Sequence, residues 1–194
     1  LMAMCDTETP ERTTACVLVD KEEIGSMGNT GMKGASFEYI TAMLISKFNS
    51  EYNDLMKMTL FRNSYCLSGD VTTAFDPNFP EVNDRLNAAY FGHGINVSKY
   101  TGARGKSGAS DANAEYVAKV RALFNDYNIG FQTAEMGRVD LGGGGTIAYI
   151  MANYGMEVID SGVAVLSMHA PWEVTSKADV YEAYKGYKAF LQEI

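Results

Sequence analysis

The chain has 194 residues, 46% of them hydrophobic, enough to pack the core of one domain and too apolar for a disordered tail. A formal net charge of -8 provides no positive footprint for nucleic acid, and no apolar run approaches the roughly 18 residues of a membrane-crossing helix. Its three cysteines, Cys5, Cys16 and Cys66, match no zinc-ribbon or CxxC spacing and read as reduced thiols of a cytoplasmic protein.

The opening "LMAMCDTETPERT" reads as the last turn of a helix followed by a turn. It does not start with Met, so the expectation is a C-terminal portion of a longer chain. Residues 13–20, "TTACVLVD", are β-rich and nearly all apolar, the pattern of a strand buried on both faces. "EEIGSMGNTGMKG" is a glycine-punctuated loop. "ASFEYITAMLISKFNSEYNDLMKM" has helical spacing, with Phe37, Ile40, Met43, Leu44 and Phe48 on one face.

"SYCLSGDV" predicts a short strand running into the turn-rich "TTAFDPNFPEVND", and "GINVSKYTG" predicts another. "SGASDANAEYVAKVRALFNDYN" reads as an amphipathic helix stopped by "NIG", and "FQTAEM" as a strand. "GGGGTIAYIMANYG" is a glycine loop opening a helix. "MEVIDSG" and "VAVLSMHA" are strands, and "SKADVYEAYKGYKAFLQEI" is a terminal helix capped by Ser176. Strands and helices alternate, which predicts a single α/β domain, a three-layer α/β/α sandwich around a mixed, mostly parallel sheet.

The polar residues of interest share a position along this pattern. Glu22 and Glu23 follow one strand, Asp70 ends another, Asp140 precedes the glycine run, and His169 ends a third. In open α/β sheets ligands gather where loops converge at the carboxyl ends of strands. Carboxylates plus an imidazole make a hard, mixed O/N donor set that suits zinc, manganese or cobalt. The plain alternatives are a solvated glutamate pair, a structural histidine and a turn aspartate. Two other stretches are set aside. "GARGKSG" (102–108) has Tyr100 where a phosphate-binding loop needs its first glycine. The glycines 142–145 do not follow the dinucleotide pattern; they serve a tight turn or the close approach of a ligand or neighbour to the backbone.

Taken in order, "DKEEIGS", "LSGDVTTAFDPNFPE", "GGGGTIAYIMANYG" and "DSGVAVLSMHAPWE" resemble successive motifs of the aspartyl aminopeptidase family of dinuclear zinc aminopeptidases, from about Leu1 to the C-terminus. The resemblance implies that Glu22 is the general base, Glu23 a ligand of one metal, Asp70 a ligand of the other, and His169 a second ligand beside Glu23. Lys99, in "GINVSK", would reach the substrate pocket, either to favour an acidic side chain or to hold the substrate backbone or transition state. Asp140, Gly143, Gly144, Gly145 and Thr146 would form the wall that holds the substrate backbone. It implies two zinc ions, replaceable by cobalt or manganese, a peptide substrate, and a large homo-oligomer such as a dodecamer. Two metals roughly 3.5–4 Å apart would clamp a water and polarise the scissile carbonyl.

The chain also departs from that family. Relatives draw a histidine, a metal-bridging aspartate and an inserted dimerisation domain from segments upstream of the portion matched here. Residues 1–194 are therefore expected to be the C-terminal part of the catalytic domain, with the remaining ligands supplied from elsewhere, including a partner chain. Thr73 stands where many relatives carry a histidine. The rival readings are a non-catalytic assembly module, and a hydrolase of other amides on the same fold.

Overall fold

The computed structural model describes residues 1–104, 106–138 and 140–194. Helix α1 (Met2–Cys5) is followed by α2 (Ser36–Phe48), α3 (Asp54–Arg62), β1 (Tyr65–Ser68), β2 (Thr72–Thr73), β3 (Ile95–Ser98), β4 (Tyr100–Ala103) and β5 (Ser107–Asp111). Then come α4 (Ala114–Asp126), β6 (Phe131–Thr133), α5 (Ala148–Asn153), β7 (Glu157–Gly162), β8 (Ala164–Leu166), β9 (Val174–Thr175) and α6 (Lys177–Glu193).

The central sheet has the order β1-β7-β3-β6. β1 runs parallel to β7 and β3 parallel to β6, while β3 and β7 are antiparallel. Side-chain alternation explains how β7 is covered on both faces. Ile159 packs into a core with Tyr116, Val120 and Phe124 of α4 and Ala183 and Ala189 of α6. Val158, next along, packs into a second core with Met32, Ala148, Ile150 and Met151, bordered by Phe37. The result is the expected α/β/α layering with a mixed sheet. The apolar positions of α4 follow helical spacing onto one face. On α6 the corresponding stripe is small, and a Cβ at Gly186 would stand 3.3 Å from the Phe124 ring, which sets how closely the two helices pack. Ser176 caps α6 as expected, accepting a hydrogen bond from the Asp179 amide at 3.3 Å.

A smaller sheet, β2-β8-β9, continues the ladder. β1 pairs with β7 and then β2 pairs with β8, both parallel, with a break between the two stretches. Asp70 and Gly162 lie at that break. A Cβ on Gly162 would fall 1.7 Å from the Asp70 carbonyl oxygen, so only glycine permits the two strands to part this closely.

Several expectations are corrected. Residues 13–19 form no strand; only Asp20 makes a bridge, to Gly31. Val17 and Leu18 are exposed. A β-branched run becomes a strand only when a neighbour accepts its backbone hydrogen bonds, and no described strand lies alongside it. The single helix expected over 35–58 is two, α2 and α3, because Asn53 caps a new helix by accepting from the Met56 amide. Of the α2 face, Ile40, Met43, Leu44 and Phe48 are exposed, and Phe37 alone stacks inward, on Phe61. The helix expected from Ser107 starts only at Ala114, since Ser107–Asp111 pairs with β4 as a hairpin. The set-aside stretch 102–108 spans this hairpin, apart from Gly105, which lies outside the described residues.

A candidate metal and acid–base centre

Glu22 and Glu23 sit in a single 3-10 turn, Glu22–Ile24, and not at a strand end. Lys21 and Gly25 flank it in the left-handed region, and the Ser26 amide closes it by donating to the Lys21 carbonyl at 2.8 Å. With about three residues per turn, successive side chains diverge by roughly 120°. That points the two carboxylates in different directions.

His169 lies on the loop between β8 and β9. Its φ of 67° and the 58° of Ser167 are backbone conformations that side-chain-bearing residues seldom adopt. The Glu173 carboxylate holds the turn by accepting from the His169 amide at 2.6 Å. Such strain clusters at functional sites. Here it aims the imidazole at the glutamate pair: His169 Nδ1 is 3.2 Å from Glu23 Oε2.

Asp70 follows β1 at the ladder break, half-buried, and accepts from the Val71 amide at 2.8 Å. Burial raises its carboxyl above the ordinary value, and the Glu23 charge adds to this against the pull of His169. Glu22 is raised likewise, first by burial, then by Asp70 and Glu23, with His169 opposing. Glu22, Glu23, Asp70 and His169 are thus brought from three separate loops into one electrostatic neighbourhood. A carboxylate raised in this way is a better proton acceptor.

Glu23 and His169 offer donors of the kind a zinc ion takes. Two ligands at about 2.0–2.1 Å from a tetrahedral zinc stand roughly 3.3 Å apart, which is close to the Glu23–His169 separation of 3.2 Å. Among the described residues, however, no group of three or more His, Cys, Asp or Glu side chains is arranged to hold a metal. A catalytic zinc takes three protein ligands, so the pair needs a further donor.

The other expected site residues fall elsewhere. Lys99 is ion-paired with Asp111 across the base of the β4–β5 hairpin. Asp140 is exposed at a φ of 71°. The glycine run lies against the hairpin: the Gly102 amide donates to Gly144 at 3.0 Å and the Arg104 amide to Gly142 at 2.8 Å. A Cβ on Gly143 would come 2.8 Å from the Gly102 carbonyl, and one on Gly144 would come 2.5 Å from the Met136 sulfur. Neighbouring protein already requires glycine at these two positions. Gly145 is exposed, and Thr146 is buried, donating to Asp160 at 3.0 Å. Thr73 lies in β2, half-buried.

Sequence reasoning missed Asp160. It is buried in β7, and its Oδ2 accepts from Thr101 at 3.1 Å and from Thr146 at 3.0 Å. Burial pushes its carboxyl up to about 6, against the hydroxyls of Thr146, Ser68 and Thr101. The signal was an acid inside the apolar run "MEVIDSG".

A family model described as "Aminopeptidase I zinc metalloprotease (M18)" matches residues 1–191. The chain belongs to this family. It is 53% identical over 189 residues to a probable M18 family aminopeptidase 1 of Clostridium acetobutylicum, covering 97% of this chain and 40% of that protein. The crystal structure of aminopeptidase I from that organism superposes with a TM-score of 0.88 at 52% identity, over 98% of this chain and 40% of its own. The M18 aminopeptidase of Thermotoga maritima gives 0.94 at 40% identity, covering 99% and 42%. A dodecamer of Saccharomyces cerevisiae mApe1 gives 0.72 at 29% identity, covering 90% and 37%. The chain therefore spans about 40% of the length of the bacterial relatives. Its place in a zinc aminopeptidase family agrees with the resemblance read from its motifs.

Proposed function

We propose that this chain supplies the acid–base and part of the metal-binding machinery of a zinc aminopeptidase that releases N-terminal residues from peptides. The observation that carries this is the 3.2 Å approach of His169 to Glu23, with Glu22 and Asp70 in the same neighbourhood. Glu23 and His169 would hold one zinc ion and Asp70 a second, cobalt or manganese being acceptable substitutes for such donors. Zinc bound there would polarise the peptide carbonyl and acidify the attacking water.

Glu22 takes the proton of that water on its carboxylate and returns it to the leaving amine. Its raised affinity for protons suits both transfers. The free amino terminus of a peptide would be held by carboxylates and metal together, which favours removal of one residue at a time. Lys99 would contribute a preference for acidic first residues only on releasing Asp111.

Two close donors fall short of three, so the remaining ligands come from the length that the relatives carry beyond this span, in the same or a partner chain. The assembly is a homo-oligomer, and the yeast dodecamer supports that size. Free thiols on Cys5, Cys16 and Cys66 support a reducing, cytoplasmic location.

The test is Glu22→Gln in the protein completed with its remaining ligands, assayed on an aminoacyl anilide with zinc or cobalt. Activity should fall at least ~100-fold, the scale of a lost general base, with zinc content unchanged. Full activity in that variant would overturn the assignment. The isolated chain should show little turnover.

A further inference from the structure

A small cavity lies beneath Asp70, between β7, β3 and the ladder break, with a water-sized free volume of about 10 Å³. That is close to the least space, roughly 10–15 Å³, that admits one water. Four oxygen atoms of its lining residues are shut off from solvent and make no hydrogen bond of normal geometry: Thr72 Oγ1, Asn96 Oδ1, Asp160 Oδ1 and Ser161 Oγ. All four residues are at most 6% exposed. Ser68 Oγ is similarly unbonded, though its hydroxyl favours the Asp160 carboxylate. Leaving one buried polar group unpaired costs about 1–3 kcal/mol, and four gathered around one hole call for an occupant.

The donor and acceptor inventory identifies that occupant. The Asn96 amide nitrogen already donates to Ser98 Oγ at 2.7 Å, so Asn96 Oδ1 can only accept. The Asp160 carboxylate has both hydroxyls of Thr101 and Thr146 on Oδ2, and Oδ1 is left as a second acceptor. Thr72 and Ser161 carry hydroxyls free to donate. Two acceptors and two donors match the two protons and two lone pairs of one water molecule. A monovalent cation would take all four oxygens as acceptors and leave both hydroxyl protons without a partner in the cavity, whereas a water accepts them.

We propose that this cavity is a binding site for a single ordered water, held by Asp160, Asn96, Thr72 and Ser161 as a fixed part of the fold. It links β7 and β3 to β2 at the point where the parallel ladder breaks and Asp70 leaves the sheet.

The test is an atomic-resolution crystal structure of this chain, with a parallel crystal soaked in a rubidium salt. The expected result is one water peak within about 2.5–3.2 Å of at least three of the four oxygens, with no rubidium signal. Solution NMR provides the second readout: long-lived water cross-peaks to the Thr72 and Ser161 amides, lost in Thr72→Val and retained in Thr72→Ser. A dry cavity overturns the proposal, as does a rubidium peak in it. Loss of the cross-peaks in both variants would overturn the role of the Thr72 hydroxyl.

Discussion

Asp160 makes the sharpest energetic test of the fold because its environment is so one-sided. Its carboxyl has a folded-state value of about 6 against an ordinary 3.8, with burial the largest cause. The difference is about 2 pH units, or roughly 3 kcal/mol of preference for the protonated form in the folded state. The sign follows from proton counting. Well below pH 3.8 both states hold the proton and Asp160 contributes nothing to pH dependence. Between pH 4 and 6 the unfolded chain ionises first, so the folded state binds more protons and stability falls as pH rises. Above pH 6 the full cost is present. The amide of an Asp160→Asn variant carries no charge at any of these pH values. In a comparison of wild type with that variant, other titrating groups largely cancel. Urea unfolding at pH 4 and pH 7, at fixed ionic strength, should therefore show the variant gaining about 2 kcal/mol on wild type between the two pH values. Its absolute offset depends on how well the amide replaces the acceptor of Thr101 and Thr146. A gap that stays constant within ~1 kcal/mol, or one that shifts against the variant as pH rises, would refute the reasoning.

Gly162→Ala should destabilise the chain by at least ~1–3 kcal/mol and displace Asp70, because its Cβ would lie 1.7 Å from the Asp70 carbonyl; thermal unfolding together with zinc titration reads both effects. Glu23→Gln should weaken zinc binding by at least ~10-fold in calorimetric titration of the completed protein, whereas Lys99→Ala should leave it unchanged. Gly144→Ala should lower stability by ~1 kcal/mol or more through the Met136 sulfur at 2.5 Å, and Met136→Ala in the same chain should recover part of that loss, as double-mutant thermal unfolding would show.

The elements that sequence patterning captured best are those whose partners lie in this chain. The terminal helix is legible because Ser176 supplies its own cap and its stripe of small residues meets α4. The buried strand "MEVIDSG" is legible because helices cover both its faces. The run "TTACVLVD" carries as strong a β signal, yet it forms no strand and is largely exposed. Its side chains satisfy the pattern, but strand formation is a property of pairs, and the periodicity of one segment says nothing about who lies beside it. The apolar face of α2 fails for the same reason: Ile40, Met43 and Leu44 keep helical spacing with nothing described packed over them. The candidate site shows the opposite behaviour. Glu22, Glu23, Asp70 and His169 were each weak alone, and what joins them is loop geometry that no periodicity encodes: a 3-10 turn, a ladder break and a positive-φ turn.

The same contrast orders the residues around Asp70 by depth. The glutamate pair and His169 are exposed or half-exposed, so their arrangement depends on whatever binds between them. Below them, Asp160 is fixed from two sides by Thr101 and Thr146, which tie the glycine run and the hairpin to β7. A glycine run that looked like a ligand cradle is therefore held by a buried acid, and the residues that bring the run to the sheet are not those that would meet substrate. Substitutions at Thr146 should accordingly move stability and the placement of the loop together, while substitutions at Glu23 should move metal binding with stability nearly unchanged. That division follows from burial: a side chain 3% exposed acts through packing and hydrogen bonds, and a carboxylate 73% exposed acts through what it binds.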